Sequence, residues 1–455
     1  MPLQAFTELV RGQTQDDYRP NKAMTPSVLR RLCAGYEHLD ELLDIANHGA
    51  RVHLTSPLPL QPTFPRNHPS ATQRLPVLRA NIRKEQDRFR CLVLDEDIAE
   101  IWTELFFSPF GVVDKGAGDP LTSGRVIHDL SFPDNDSVNS HTDQDEVPTA
   151  AFDHCSSVAK EILRLRRSKP GREVKLMAGD NASAYRNVCT HSECVYMFAG
   201  HIPEDAAIVI DLAAAFGWTG SSGTYGVLGG AVAFSHGSTT NATHPGGFYN
   251  YHWVDDHINV TDDTGSNCAD IDRSLRWAMT SIMGPAAVNN DKFTPWSTCL
   301  KVLGLIFDTT AETVSMPPEK IAKAKRLVSH AFHARNLARS EYRSLLGSLR
   351  HVVTCIRPAR VFLQRLRAGE RLLHRSRRIP VSDNMRDDLL WWWAILDSPT
   401  LNGIPLEYFD AHPNQDITIL TDASDEGICA IDPAASRYLT YKFSPHDLEL
   451  ITAFH

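Results

Sequence analysis

Short runs of apolar and β-branched residues alternate with helical stretches from about Leu75 onward. Runs of this kind are typical of β-strands, and the stretches between them favour strands packed on helices over a sandwich. The clearest runs are FSPFGVVDK, REVKLMAGD, FYNYHWVDDHINV and LKVLGLIFD. This pattern predicts a mixed helix-and-sheet fold of the α+β class.

The pattern before Leu75 is different. A helical-looking piece near Ser27–Ile45 precedes the proline-rich stretch SPLPLQPTFPRNHPS, and proline interrupts regular elements. We therefore predict that residues 1–75 form an N-terminal extension followed by a linker.

A third pattern, of helical period, marks a later block. Its apolar stripe keeps the i, i+3, i+4, i+7 spacing and consists of Tyr342, Leu345, Leu346, Leu349, Val352, Val353 and Ile356. Pro358 is expected to end this helix. Arg343, Arg350 and Arg357 recur beside the stripe and would form a row with steps of about 10 Å. The tryptophans Trp391–Trp393 are predicted to lie in the core, and a new β-type segment begins at ITILTDAS.

Composition and charge narrow the class of protein. The 455 residues are 42% hydrophobic and 22% charged, which indicates a globular chain of two or more domains. The net charge is −9, yet residues 317–380 hold 16 Lys and Arg against 3 Asp and Glu, a local balance of +13. Such a block either contacts a polyanion or is a solvated helical face, and composition alone does not separate the two.

Other features bear on the compartment. The longest stretch without charged residues, Leu212 to Val254, is rich in Gly, Ser, Thr, Asn and His, so no membrane-spanning helix is predicted. The start MPLQAFTELVRG does not resemble a secretory signal. Nine cysteines without a CxxC pair are read as reduced thiols. We predict an intracellular protein, in the cytoplasm or nucleus, with no membrane partner.

Two carboxylate features could carry chemistry. Asp255 and Asp256 lie between aromatic and β-branched flanks, which predicts a hairpin with two acids at its tip; the alternative is a pair of solvated turn residues. Asp180 ends a predicted strand. Carboxylates at strand ends are ligands that Mg²⁺ prefers, and two such ions could stabilise the attacking and leaving oxygens of nucleotidyl transfer.

These residues belong to a longer series of motifs. In order along the chain, SPFGVVDKG, GRVIHDLSFP, DNASAYRNV, AFGWTGSSGTYG, YHWVDD, NNDKF and KVLGLIFD resemble the motif series of a reverse transcriptase. The series is most similar to that of retrotransposons that integrate with a tyrosine recombinase, and more distantly to long-terminal-repeat elements and retroviruses. The resemblance covers roughly residues 76–455. It implies a right-hand polymerase with fingers, palm and thumb.

The resemblance also implies roles for the acidic residues and their neighbours. Asp180, Asp255 and Asp256 match the metal ligands of the palm, which hold two Mg²⁺ ions, with Mn²⁺ as a possible substitute. Lys292 matches the lysine that protonates pyrophosphate as it leaves. An ordinary exposed loop lysine is the alternative for Lys292.

The nucleotide would be held by other residues. Lys115 and Arg125 match the fingers residues that bind the triphosphate, and either could instead be a surface cation. Tyr185 matches the aromatic ring that excludes a 2′-hydroxyl, and the alternative is a core tyrosine. Gly217 matches the glycine of the nucleotide-binding motif. Glycine recurs at every third position from there: Gly217, Gly220, Gly223, Gly226 and Gly229. The series either allows template or nucleotide to approach the backbone closely or forms a flexible loop.

The remaining matches concern the nucleic acid. KVLGLIFD resembles the hairpin that grips the primer end, with Gly304 at the family position. The basic helices, with Arg343, Arg350 and Arg357, resemble the thumb that follows the duplex backbone. The implied organisation is fingers and palm over residues 76–315, thumb and connection over 316–400, and a further domain over 413–455.

That last segment resembles the start of an RNase H-like α/β domain. ITILTDASDEGICAI is predicted to form two strands, with Asp422 at the end of the first. SPHDLELITAFH is predicted to begin a helix with Ser444 as N-cap and Asp447 in the capping position. Asp422 and Glu449 match two acids of the ribonuclease site. The segment is expected to be truncated and to lack RNase H activity.

The resulting function prediction is RNA-directed DNA polymerisation, a nucleotidyl transfer from dNTPs to a primer 3′-hydroxyl on an RNA or DNA template. Two departures favour an alternative: Trp253 stands where the family usually has Tyr, and AFGW lacks the usual glutamine or proline beside the glycine. A catalytically degenerate nucleic-acid-binding relic is therefore one alternative. An RNA-dependent RNA polymerase is the other, and Tyr185 speaks against it. The oligomeric state is not predicted.

Overall fold

The protein is described by a computed structural model that covers residues 1–116, 118–149, 152–370, 373, 378–398, 402–410 and 417–454. The side chains of Arg357, Pro358 and residues 450–454 lie outside this description. The helices of the described part are α1 Leu3–Val10, α2 Pro26–Leu32, α3 Leu39–His48, α4 Pro69–Gln73, α5 Leu75–Gln86, α6 Val138–His141, α7 Ser156–Ser168, α8 Ser221–Gly237, α9 Asn267–Met283, α10 Pro318–His333, α11 Arg339–Val352, α12 Gln364–Glu370, α13 Asp383–Asp397 and α14 Pro445–Phe454.

The strands form small antiparallel sheets among these helices. They are β1 Cys91–Asp95, β2 Phe110–Val113, β3 Arg125–His128, β4 Val174–Asp180, β5 Ala199–Ile202, β6 Ala207–Asp211, β7 Tyr251–Trp253, β8 Asp256–Asp262, β9 Cys299–Val302, β10 Leu305–Asp308, β11 Thr313–Ser315, β12 Asn336–Leu337, β13 Ile379–Pro380, β14 Ile404–Pro405, β15 Leu420–Ser424, β16 Gly427–Asp432 and β17 Arg437–Lys442. The fold is thus a mixture of helix and sheet, as the pattern predicts.

The central sheet has the strand order β4-β8-β7. Strand β4 is buried on both faces: Leu176 packs into one core cluster with α7 and α10, and Met177 packs into a second cluster with α8 and α9. Since successive side chains of a strand point to opposite faces, a sheet covered on both sides needs apolar residues at consecutive positions. The sequence LM in KLMAGD meets this need, and it holds the strand ends rigidly between two layers of helices.

The N-terminal residues differ from the predicted extension and linker. Leu29 of α2 and Leu42 of α3 are fully buried in the same core cluster as Ile282 of α9. The proline-rich stretch is also docked, because the Gln61 amide donates to the carbonyl of Phe107 and accepts from its N–H. The prediction of a separate segment is wrong because the proline pattern shows where regular elements stop, not where tertiary contacts stop.

The basic block is helical, and its predicted apolar stripe is buried along α11. The helix ends at Val352, however, before Pro358, and Arg357 begins a 3₁₀ helix, Arg357–Leu363. The predicted row of three arginines on one helix is therefore interrupted, and Arg343 and Arg350 alone share α11. The prediction for the tryptophans is confirmed for Trp392, which is fully buried, but Trp393 is 42% exposed.

The C-terminal sheet has the order β15-β16-β17, one strand more than the sequence pattern predicts. Asp422 lies in the middle of β15 and not at its end. The capping prediction is confirmed: the Ser444 N–H donates to the Asp447 carboxylate at 2.8 Å, and the Asp447 N–H donates to the Ser444 hydroxyl at 3.2 Å. Within the described residues, no helix is long and apolar enough to cross a membrane.

Candidate active site

The three acids of the central sheet lie at one end of it. Asp180, the last residue of β4, is paired in register with Asp256, the first residue of β8. Asp256 is also paired with Trp253 of β7, so Val254 and Asp255 form a two-residue turn between those strands. The predicted hairpin with acids at its tip is confirmed. The backbone N–H of the residue after Asp180 donates to the Asp255 carbonyl at 2.9 Å, which joins the two strand ends.

Asp180 is buried, at 3% exposure, and its carboxylate is bonded on both oxygens. Asn289 donates to Oδ1 at 2.6 Å, and the Lys292 ammonium lies 2.7 Å from Oδ2. Asn289 precedes the 3₁₀ turn Asn290–Lys292, whose entry is fixed by a backbone bond from Asn289 to the Asp180 carbonyl. The loop carrying NNDKF is thereby anchored on the acid that ends β4.

The acids influence one another's ionisation. Burial raises the pKa of Asp180, and the bonds from Lys292 and Asn289 oppose this rise. Burial, with the neighbouring charges of Asp255 and Asp180, raises the pKa of Asp256 to about 6. Burial lowers the pKa of Lys292, but the bond to Asp180 and the charges of Asp180, Asp255 and Asp256 together raise it, so Lys292 is protonated at neutral pH. The single ammonium of Lys292 does not balance the negative charge of the three carboxylates.

These groups open into a cleft of about 1270 Å³. Residues singled out from the sequence line it together: Lys115, Arg125, Asp180, Tyr185, Asp255, Asp256, Lys292 and Gly304. The cleft brings residues from widely separated parts of the chain to one place, which is the arrangement that a binding or catalytic site requires.

Tyr185 stands beside Asp180 on the 3₁₀ turn Ala184–Asn187. Its half-buried ring lies 5.2 Å from the Phe216 ring and 5.9 Å from the Tyr225 ring, centroid to centroid. The ring packs against the core and also lines the cleft, and its role toward a 2′-hydroxyl stays a prediction.

Cations line the same cleft as the acids. Arg125 begins β3, its guanidinium lies 5.5 Å above the Phe216 ring, and Lys115 follows the paired strand β2. Both side chains are exposed in the cleft. Lys84 and Arg88, at the end of α5 and just beyond it, line the same cleft, although the sequence analysis did not single them out.

Gly217 supports a different contact from the one predicted. Its φ is +135°, and a Cβ there would stand 1.9 Å from the carbonyl oxygen of His128. The close approach that this glycine permits is therefore to the protein's own backbone. Gly223 and Gly229 lie inside α8, a 17-residue helix, so the loop alternative for this part of the series is wrong. Both positions are crowded by other parts of the chain, Gly223 by the Pro148 carbonyl.

Gly304 lies in the tight turn between β9 and β10. Leu303 and Gly304 have φ of +53° and +76°, the combination that a two-residue type I′ turn demands. The Gly304 carbonyl accepts a bond from His351 of α11 at 3.3 Å, which attaches this turn to the basic helix. On α11 itself, Arg343 is exposed and Arg350 forms an ion pair with Glu370.

Comparison with solved structures relates this architecture to known proteins. The whole chain matches the foamy viral protease-reverse transcriptase dRH in complex with double-stranded DNA, with a TM-score of 0.54, 14% identity and 73% of that chain covered. It matches the foamy viral protease-reverse transcriptase in complex with an RNA/DNA hybrid with a TM-score of 0.52, 12% identity and 55% of that chain covered. For the same protein in complex with double-stranded DNA, the TM-score is 0.50, the identity 13% and the share of that chain covered 85%. The chain has a reverse-transcriptase-like fold. No protein-family model and no curated protein matches the sequence.

The acid cluster of this reverse-transcriptase-like fold has to be tested for metal binding. Within the described residues, no three His, Cys, Asp or Glu side chains are arranged as a preformed metal site. Mg²⁺, however, is usually bound by one or two carboxylates together with substrate phosphates and water, and not by an all-protein cage. The Lys292 ammonium is paired with the Asp180 carboxylate at 2.7 Å. Burial and the neighbouring acids raise the pKa of Asp256, and a bound divalent ion would offset this repulsion between the carboxylates. The donor set therefore fits a hard ion that arrives with a nucleotide.

The second pair of acids is placed differently. Asp422 of β15 is exposed and accepts a bond from the N–H of its neighbour Ala423 at 2.9 Å. Glu449 is exposed on α14. The strands of this sheet carry exposed apolar side chains, including Leu420 and Leu439. The two acids are therefore not held in a buried cluster.

Sequence reasoning missed Asn289 as well as Lys84 and Arg88. Asn289 stands in the NNDKF motif, three residues before Lys292, and its amide type is suited to orienting a carboxylate. No local signal was available for Lys84 and Arg88, because charged residues near a helix C-terminus are also favoured by the helix dipole.

Proposed function

We propose that this chain is an RNA-directed DNA polymerase that adds dNTPs to the 3′-hydroxyl of a primer. The observation that supports the proposal best is the pairing of Asp180 with Asp256, beside Asp255, at the end of a cleft whose other wall carries Lys115 and Arg125. A reverse-transcriptase-like fold alone is compatible with many activities.

The proposal assigns the parts of the chain to a polymerase hand. Residues 76–315 form fingers and palm, residues 316–400 form thumb and connection, and residues 413–455 form an RNase H-like segment. The order of motifs further favours a retrotransposon enzyme of the kind that integrates with a tyrosine recombinase. Template, primer and dNTPs are the partners that this assignment requires.

The chain's own residues would act as follows. The guanidinium fork of Arg125 and the ammonium of Lys115 bind the triphosphate oxygens, and the Tyr185 ring stands where a 2′-hydroxyl would lie. The primer 3′-oxygen attacks the α-phosphorus, its proton passes to water, and the bond to pyrophosphate breaks. Lys292, protonated at neutral pH, gives a proton to the leaving pyrophosphate.

Asp180 and the Asp255–Asp256 pair would hold Mg²⁺, or Mn²⁺ in its place. When bound, two such ions supply charge stabilisation for the attacking and leaving oxygens. Asn289 donates to the Asp180 carboxylate at 2.6 Å and orients it, and the Lys292 ammonium, 2.7 Å from the same carboxylate, would be placed to give its proton to pyrophosphate.

Primer extension tests the proposal against its alternatives. The chain is given a DNA primer on RNA and on DNA templates with Mg²⁺, and separate reactions contain dNTPs or NTPs. Extension with dNTPs on RNA supports the proposal. Extension with NTPs alone would indicate an RNA-dependent RNA polymerase, and duplex binding without extension would indicate a degenerate relic.

A further inference from the structure

The turn that carries Asp255 is strained. Val254, at its first position, has a φ of +51°, in the left-handed region. A β-branched residue rarely adopts this conformation, and strain of this kind costs of the order of 1–3 kcal/mol. The turn keeps this shape only if surrounding contacts hold it.

One side chain contacts the strained peptide directly. The Nε2 atom of His252, on β7, lies 2.7 Å from the Val254 carbonyl oxygen. Because a carbonyl oxygen only accepts, His252 donates this bond and its proton is on Nε2. The bond therefore joins the His252 side chain to the backbone of the turn two residues later in the chain.

Space for this imidazole is provided by a glycine. A Cβ at Gly229, within α8, would stand 2.4 Å from the His252 Nε2 atom. Glycine inside a helix costs about 1 kcal/mol relative to alanine. Gly229 thus weakens α8, but any larger residue at this position would displace the His252 Nε2 atom that donates to the turn.

The other side of the ring is fixed as well. His252 stacks on His257, with ring centroids 4.8 Å apart and an angle of 18° between the planes. His257 is fully buried, and the side-chain amides of Asn181 and Asn250 each lie 3.1 Å from one of its ring nitrogens. A neutral imidazole has one N–H, so one of these amides presents its oxygen to the ring.

This network reaches both strands that carry acids. Asn181 directly follows Asp180, and its backbone N–H donates to the Asp255 carbonyl at 2.9 Å. The imidazoles and amides therefore form a layer under the turn, from Val254 to the end of β4, in which His257 and Asn181 are buried and His252 and Asn250 are partly buried.

We infer that His252 is a positioning residue of the nucleotidyl-transfer site, because its Nε2–H bond to the Val254 carbonyl holds the strained turn that sets Asp255 against Asp180. The inference rests on the proposed function. His252 acts through the backbone and touches neither nucleotide nor primer.

Two substitutions separate the hydrogen bond from the bulk of the ring. His252→Phe keeps a flat ring for stacking but removes the donor, and His252→Gln keeps an N–H donor on a shorter group. Displacement of a reacting group by about 1 Å can cost about a hundredfold. We expect kcat of primer extension to fall about tenfold to a hundredfold in His252→Phe, with KM for dNTP within about threefold, and the Gln variant to recover most of the loss.

Gly229→Ala tests the same bond with His252 intact. The added methyl group must displace the Nε2 atom, so kcat should fall as in His252→Phe. Gly237→Ala is the matched control on the same helix, because the nearest atom to its Cβ would be at an ordinary 3.6 Å. His236→Phe, which removes the bonds of a fully buried histidine to Ser274 and Asn259, should lower Tm without changing kcat.

A readout that does not require polymerase activity is hydrogen exchange at the Asn181 backbone amide, which bonds to Asp255. His252→Phe should accelerate its exchange at least about tenfold while exchange in α9 stays unchanged, because the turn opens locally. If the parent protein extends no primer, the proposed function fails; accelerated exchange at this amide would then still show that His252 holds the turn, although the turn would position no nucleotidyl-transfer site. If His252→Phe changes neither kcat nor exchange at Asn181, or if the Gln variant is as impaired as the Phe variant in both, the inference is overturned.

Discussion

Two sheets of this protein carry acids on antiparallel strands, and their surroundings differ in every respect. In the β4-β8-β7 sheet, strand β8 is buried from His257 to Asp262, and Asp180 has partners on both carboxylate oxygens. In the β15-β16-β17 sheet, every residue of β15 is exposed, and Asp422 bonds to its own neighbour's backbone. Asp180 and Asp422 are the same type of residue, so the difference between them lies in packing, which buries and orients the carboxylate of Asp180 and leaves that of Asp422 exposed.

The difference extends to the charges around the acids. The first sheet faces a cleft with Lys84, Arg88, Lys115 and Arg125 on its wall. The pKa of Asp256 is raised first by burial and then by the neighbouring charges of Asp255 and Asp180, and the charge of Lys292 only partly offsets this rise. A site that is strained in this way is suited to binding cations and polyphosphate together.

The largest expected effect separates the two sheets directly. Asp180→Asn or Asp255→Asn should lower primer extension about a thousandfold or more, about 4 kcal/mol in the barrier, because each would remove a ligand of the proposed metal site. Duplex binding should stay within about twofold of the parent, since neither residue belongs to the basic helices. Asp422→Asn is the matched control and should extend primers normally. Residual activity within about tenfold of the parent would contradict the assignment of the first sheet.

The next effect concerns the ring beside the acids. Tyr185→Ala opens space in the cleft beside the Phe216 ring, so it should admit a ribose 2′-hydroxyl. We expect the preference for dNTP over NTP, measured as a ratio of kcat/KM values, to fall about tenfold to a hundredfold. Tyr185→Phe keeps the ring and should keep the preference. An unchanged ratio in the alanine variant would make Tyr185 a core residue only.

A smaller effect is expected at the cations that line the cleft. Lys84→Ala combined with Arg88→Ala should raise KM for dNTP about tenfold, about 1.4 kcal/mol, because two positive charges leave the cleft. Arg83→Ala is the control, since Arg83 is on the same helix but paired with Asp87 at 2.9 Å. Equal effects of the double variant and of the control would show that Lys84 and Arg88 act through general charge.

Stability should also distinguish the sheets. The folded-state pKa of Asp256, about 6, is above the ordinary 3.8, so ionisation of this group disfavours folding. The penalty is absent below pH about 4, grows as the pH rises to about 6 and is complete above it. Asp256→Asn should therefore raise the metal-free unfolding free energy by about 1–3 kcal/mol at pH 7.5 and by little at pH 4.

Thermal unfolding at the two pH values, without divalent ions, checks this prediction. The same substitution at Asp422 should leave Tm unchanged at both, because that carboxylate is exposed. A lower Tm for Asp256→Asn at pH 7.5 would mean that bonds of the ionised group outweigh its desolvation.

The sequence was informative where an element carries its own pattern. The hairpin at Asp255 and the buried stripe of α11 follow from residue types within a few positions of one another, whereas the hairpin at Gly304 was expected only from the resemblance to reverse transcriptases. The glycines of α8 were misleading, because their reason is crowding by distant segments that no local pattern reveals. The docking of α2 and α3, and the approach of Lys84 to the cleft, depend in the same way on contacts between remote parts of the chain.

The smallest expected effect is none at all, and it concerns the second sheet. A two-metal ribonuclease site needs several acids fixed on a packed surface, whereas Asp422 and Glu449 are exposed. Glu449 stands on a helix of 10 residues, and isolated helices shorter than about 12–15 residues are marginally stable. The chain should thus leave the RNA of an RNA–DNA hybrid intact while it extends a primer on the same hybrid. Cleavage that disappears in Asp422→Asn would show that this sheet, too, holds its acids in a working arrangement, and that exposure is a poor guide to which acids act.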